Sequence, residues 1–348
     1  MADITFKLLS LREERKLSES ELKQYYSQLR EYVLDRKLKT TTKGAITVAP
    51  KLKPFVNKLD SFVTKILAGG EIERITDGLE NIPDGPVLFA CAHQGLLDNL
   101  CWIPSNPRHS VLLHAADVDK FLIWIQMCTG LVLVDKNAED PTNRTDAKLD
   151  MIHILLKGHT VWYYPEGAWN LSPNKLHLPM SFGFLDVAKK AGVPVVPVVI
   201  EYTYDTSTEK EKITKMHIRY GKPISVDLCD DLTQKLEEYF TEISTIRWEL
   251  LEEKGLFERS KITNWDYINF LKGNLKNLAM KNKKVGARMI DMERHSLRGS
   301  GDDFYLFHHI NDVPFNEDGE LLDTEESVRL ARLFDEHVLG IKSPVKEG

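Results

Sequence analysis

A histidine and an aspartate stand with four residues between them in the string His93-Gln94-Gly95-Leu96-Leu97-Asp98. Imidazole titrates near neutrality, so a histidine can take the proton of a hydroxyl. A carboxylate that accepts from its other ring nitrogen fixes the tautomer and steadies the imidazolium. Such a pair makes an alcohol nucleophilic toward an acyl carbon. No serine is needed when the substrate itself brings the hydroxyl. Spacing limits the geometry. In a straight helix five residues turn about 500°, leaving the two side chains roughly 140° apart. His93 is therefore expected in a loop, with Asp98 inside the helix that follows and Gly95 allowing the turn.

A second string, Tyr163-Tyr164-Pro165-Glu166-Gly167, closes an apolar run. Each string follows a strand-like segment, Pro86 to Cys91 for the first and His159 to Tyr163 for the second. Both then fall at carboxyl ends of strands, the edge where open α/β sheets bind ligands. Glu166 can bind an acceptor hydroxyl, or hold its loop by accepting backbone N–H groups. Gly167 lets main chain approach a substrate closely.

Three further blocks follow the histidine string in the chain. Thr129-Gly130-Leu131-Val132-Leu133-Val134-Asp135-Lys136 comes before the Glu-Gly string. Gly192 to Val198 and Ile218-Arg219-Tyr220-Gly221-Lys222-Pro223-Ile224 come after it. In type and order, residues 80 to 226 resemble the glycerolipid acyltransferase superfamily, which includes lysophosphatidic acid acyltransferase and carries a His-x4-Asp motif. The resemblance implies an O-acyltransferase with His93 as general base and Asp98 as its orienting carboxylate. It implies acyl-CoA or acyl carrier protein as donor, no bound cofactor and no metal. It assigns Glu166 and Gly167 to acceptor binding.

The departures bear on the acceptor. Where the superfamily has Asn before the histidine and Ser two residues after it, this chain has Ala92 and Gly95. Where it has two arginines thought to grip the acceptor's phosphate, this chain has Lys136 and Trp169. Arginine binds phosphate as a rigid fork, lysine only as a point charge, and indole not at all. Either another cation compensates, with Arg144 and Lys175 as the nearest candidates, or the acceptor is not a glycerol phosphate. The leading reading is transfer to a lysophospholipid or glycerol phosphate. An alternative keeps the chemistry with a sugar, glycan precursor or other alcohol as acceptor. A third is a hydrolase with Cys91 as nucleophile and His93 as base, since alternate strand positions face the same way.

Composition sets bounds. The 348 residues are 42% hydrophobic and 28% charged, ordinary for a globular protein. A net charge of −6 gives no support for nucleic-acid binding. The four cysteines show no metal spacing or dense disulfide pattern, and the first residues lack an apolar signal core. A cytoplasmic protein is expected. The most apolar window, Phe121 to Val134, is shorter than the roughly 20 residues that a spanning helix needs.

The pattern predicts an α/β fold with a mostly parallel central sheet flanked by helices. An amino-terminal helical pair precedes it and a mainly helical carboxyl-terminal extension follows. Boundaries are drawn at 1–75, 76–228 and 229–348. Strands are expected near Val87–Cys91, Val111–His114, Leu131–Val134, Val161–Tyr164, Val195–Tyr202 and Met216–Tyr220. Helices are expected near Ser18–Leu38, Leu96–Ile103, Asp117–Cys128, Asp146–Leu156, Phe182–Ala191 and Leu232–Glu253. Thr40 to Gly44 reads as a loop. The helix after it carries Phe55, Val56, Leu59, Phe62, Val63, Ile66 and Leu67 on one face and Lys51, Lys53, Lys58 and Lys65 on the other. Such a helix most often packs on its own domain; the alternative is that, being basic and amphipathic, it lies on anionic lipid in peripheral contact with the inner face of a membrane. Beyond residue 253 the chain predicts a helix from Trp265 to Asn282 and a basic stretch from Lys272 to Arg298. A short strand at Phe304–Phe307 and a helix near Glu325–His337 complete it.

Overall fold

Seven strands form one sheet in the order β1-β7-β6-β2-β5-β3-β4. They are β1 (Glu73–Asp77), β2 (Leu88–Cys91), β3 (Ser110–Ala115), β4 (Leu131–Val134), β5 (Thr160–Tyr163), β6 (Val195–Asp205) and β7 (Lys212–Tyr220). Every pairing is parallel except β6 with β7. The computed structural model describes residues 6–68, 70–94, 98, 106, 108–115, 130–134, 142–167, 170, 176–178, 180–205, 212–253 and 336. Chain contacts divide it into two units. The first holds Met1–Ala92, Leu96–Pro165 and Ser181–Ile246, and with them the sheet. The second holds His93–Gly95, Glu166–Met180 and Arg247–Gly348.

The core follows from the strand residues. Val87, Phe89, Cys91, Leu112, Leu131, Trp162, Val196, Val198, Ile200, Met216 and Ile218 form one buried cluster. Near-continuous Val, Ile and Leu runs suit strands covered on both faces. Four of the six expected strands are recovered within one residue at each end; β6 runs on to Asp205 rather than Tyr202, and β7 begins at Lys212 rather than Met216. The sequence reading missed β1, because Glu-Arg-Ile-Thr-Asp on a sheet edge has no apolar run to signal it.

The helices are α1 (Leu11–Glu14), α2 (Glu19–Asp35), α3 (Thr40–Thr47), α4 (Ala49–Ala68), α5 (Thr142–Leu156), α6 (Gly183–Ala191) and α7 (Leu232–Glu253). A capping box at Ser18 and Glu21 starts α2. Its Arg36 reaches Asp146 at 2.5 Å and Asp150 at 2.6 Å on α5. The expected loop at Thr40 to Gly44 is instead α3. Tertiary contacts override its weak helix propensity. Thr42 donates to Asp150 at 2.8 Å, and Ala45 is fully buried.

α4 lies the other way round from an ordinary surface helix. Its apolar residues Leu52, Phe55, Leu59, Phe62 and Ile66 are exposed, while Asp60 and Thr64 are buried. Lys53 also turns inward and donates to the Asn106 and Arg108 carbonyls, both at 2.8 Å. No helix among the described residues is long and apolar enough to cross a membrane. The helices expected at Leu96–Ile103 and Asp117–Cys128 lie outside the described residues save for Asp98. So does nearly everything expected beyond residue 253.

Candidate active site

β2 and β5 are parallel neighbours, with Ala90 opposite Tyr163. Three residues further along each chain stand His93 and Glu166. Glu166 Oε1 accepts the His93 backbone N–H at 3.0 Å, and Oε2 accepts the Leu178 N–H at 2.8 Å. The Asn170 N–H donates to the His93 carbonyl at 2.6 Å. His93 is thus fixed through both its main-chain groups, in irregular backbone just past β2, as its spacing from Asp98 required. His93, Glu166, Asn170 and His177 are all buried, and His177 Nδ1 lies 3.8 Å from Glu166 Oε1. Hydrogen bonds to a carboxylate are about twice as strong as neutral ones, so Glu166 is a firm anchor for the loop. Gly167 has φ +63°, the left-handed region, which turns the chain immediately after that anchor.

In the first unit, Asp98 is helical and fully buried, and the Tyr202 hydroxyl of β6 donates to its Oδ1. That hydroxyl donor helps to hold the plane of the carboxyl group. Tyr202 belongs to the core cluster that also contains Cys91. Cys91 is fully buried among apolar side chains, and its thiol donates to the Ala92 carbonyl at 3.2 Å. Reactive cysteines sit in partly exposed, electropositive surroundings, and buried apolar ones are inert. The hydrolase reading therefore loses its nucleophile.

Gln94, next to the candidate base, is engaged as well. Arg247 Nη2 of α7 donates to Gln94 Oε1 at 2.9 Å. Sequence reasoning missed Tyr202, Asn170, His177 and Arg247. Tyr202 ends a strand run and reads as core. Asn170 stands beside Trp169 with no pattern of its own, and Arg247 is one charge among many in the helix Leu232–Glu253. Of the expected acceptor residues, Glu166 and Gly167 adjoin His93 as described. Arg144 is exposed near the start of α5. Lys136, Trp169 and Lys175 lie outside the described residues.

Residues 74–201 match the family described as Acyltransferase. The chain is 28% identical over 202 residues to a chloroplastic 1-acyl-sn-glycerol-3-phosphate acyltransferase of Brassica napus, covering 54% of this chain and 58% of that one. It is 29% identical over 104 residues to the 1-acyl-sn-glycerol-3-phosphate acyltransferase of Escherichia coli, covering 28% and 40%. The chain spans about half the length of the curated relatives it matches. A crystal structure of the 1-acyl-sn-glycerophosphate acyltransferase of Thermotoga maritima aligns over 69% of this chain and 98% of that one. The identity there is 21% and the TM-score 0.42. The resemblance read from residues 80 to 226 is thus found independently over the segment that holds both strings.

Proposed function

We propose that this chain is an O-acyltransferase. It moves a fatty acyl group from acyl-CoA or acyl carrier protein to a hydroxyl of a lysophospholipid or glycerol phosphate. One observation carries the reading most: the Glu166 carboxylate holds the main chain of His93, inside a segment that matches an acyltransferase family. A loop fixed in this way holds the main chain that carries the imidazole.

The steps follow from the groups present. His93 takes the proton of the acceptor hydroxyl as its oxygen attacks the thioester carbonyl. Asp98, held by Tyr202, stabilises the imidazolium and its tautomer. Collapse of the tetrahedral intermediate expels the thiolate, which the imidazolium protonates. Acceptor binding is assigned to the turn at Glu166 and Gly167 and to Lys136, Arg144, Lys175 and Trp169. The names of the relatives favour a phosphate-bearing acceptor. The two replaced arginines, read at Lys136 and Trp169, favour the sugar or other alcohol.

We also propose that α4 rests on lipid. Phe55, Phe62 and Ile66 are 68%, 62% and 61% exposed and lie on one stripe with Leu52 and Leu59. Exposed Lys51, Lys58 and Lys65 flank the stripe. Apolar stripe and cations together suit an anionic bilayer surface.

The test is thiol release from a fatty acyl-CoA and an acyl carrier protein donor. Lysophosphatidic acid, glycerol 3-phosphate and several sugars serve as acceptors, beside His93→Ala. Acceptor-dependent release that the variant lacks is the expected result and picks the acceptor class. Release that His93→Ala retains would overturn the assignment of the base.

A further inference from the structure

We infer that Arg247 is a positioning residue for the His93 loop, supplied from outside the segment that matches the acyltransferase family. The inference rests on the proposed function for its catalytic meaning, though not for its geometry. The family match ends at residue 201, and Arg247 lies on α7, more than forty residues later. Its guanidinium donates to Gln94 Oε1 at 2.9 Å, and its side chain is largely buried.

Three separate anchors therefore act on two consecutive residues. Glu166 takes the N–H of His93, Asn170 donates to its carbonyl, and Arg247 takes the side chain of Gln94. The first two fix the peptide planes on either side of the histidine. Neither of these two bonds holds the side chain of Gln94. Arg247 adds that restraint. Guanidinium suits the task, because it is always charged and its planar fork loses little freedom on binding an amide oxygen. Within the first unit, Tyr239 of α7 donates to the Ala90 carbonyl of β2 at 3.2 Å. The extension past residue 228 becomes part of the catalytic apparatus on this reading.

Full-length wild type, Arg247→Ala, Gln94→Ala and the double variant separate the outcomes. Peptide-resolved hydrogen exchange should show faster exchange across residues 91–98 in each single variant, with β5 and β6 unchanged. In turnover, each single variant should lose on the order of 10–100-fold in kcat, the cost of a base displaced by about an ångström, at unchanged acceptor KM. The double variant should be no slower than the slower single one, because both remove the same restraint. Unchanged exchange at residues 91–98 in Arg247→Ala and Gln94→Ala would overturn the inference, whether or not the chain turns over substrate. So would a rise in KM confined to phosphate-bearing acceptors and to Arg247→Ala, which would make Arg247 an anion-binding group instead. A wild type without acceptor-dependent release overturns the proposed function alone, since the exchange measurement needs no turnover. Gln94→Ala keeps the test decisive should Arg247→Ala fail to fold.

Discussion

Glu166 holds His93 by its main chain: one carboxylate oxygen accepts the histidine's N–H at 3.0 Å while the other accepts the N–H of Leu178. The acid of the second string is in this way a brace for the base of the first. Glu166→Gln keeps the shape and removes the charge. It also turns an NH2 group toward one of the two donors. A buried hydrogen bond to a charged group contributes about 1.5–3 kcal/mol. Acceptor-dependent turnover should fall by about 10–100-fold, with the loss in kcat. Steady-state kinetics decides between roles, because a residue that gripped the acceptor would raise KM instead.

Tyr202 gives the second prediction. Its hydroxyl donates to Asp98, which is fully buried. Tyr202→Phe deletes that one donor with almost no change in volume. The carboxylate keeps its charge but loses the contact that sets its plane. Turnover should drop by roughly tenfold, less than in Asp98→Asn, where the base loses its tautomer control. Equal rates in wild type and Tyr202→Phe would show that the orientation of Asp98 does not depend on Tyr202.

The two variants mark what sequence could and could not reach. The places of His93 and Glu166 just past β2 and β5 were legible because the apolar runs before them mark strand ends. The central strands were legible because Val, Ile and Leu runs have few other uses. Tyr202, Asn170 and Arg247 were not, since each acts through a contact made 104, 77 or 153 residues away in the chain. No local pattern encodes such a pairing. α3 escaped for a related reason: its threonines and Gly44 are weak helix formers, and the helix gains its support from Asp150 on Thr42 and from burial of Ala45. The inward turn of the polar side of α4 contradicts the ordinary rule for amphipathic helices.

Asp60 on that inner side carries a pH-dependent prediction. Burial pushes its carboxyl up to about 8, with Arg74 only partly opposing, and neither oxygen has a hydrogen-bond partner among the described residues. A carboxyl raised from its ordinary value of about 4 binds a proton in the folded state that the unfolded chain has already released. Stability should therefore fall as pH rises from about 4 to about 8, then level off. Asp60→Asn removes the titration and keeps the shape. In urea denaturation the variant should match wild type near pH 5 far more closely than near pH 8.5. There it should be more stable by about 1 kcal/mol or more. A difference that did not change with pH would mean that Asp60 is solvated in the folded chain.

The outer side of α4 carries the last prediction. Burying one phenylalanine side chain contributes about 1.5–3 kcal/mol, so two of them contribute enough to decide whether a peripheral protein stays on a bilayer. Phe55 and Phe62 are exposed and stand two turns apart on the same stripe. Phe55→Ser with Phe62→Ser should leave the melting temperature nearly unchanged, since neither ring is in the core. It should weaken co-sedimentation with anionic vesicles at least 100-fold, as about 3–6 kcal/mol of lost burial requires. Charge reversal at Lys51 and Lys58 should weaken binding less, and only at low salt, because screening already limits exposed charges. Vesicle binding that survived the serine pair would move the lipid contact off α4.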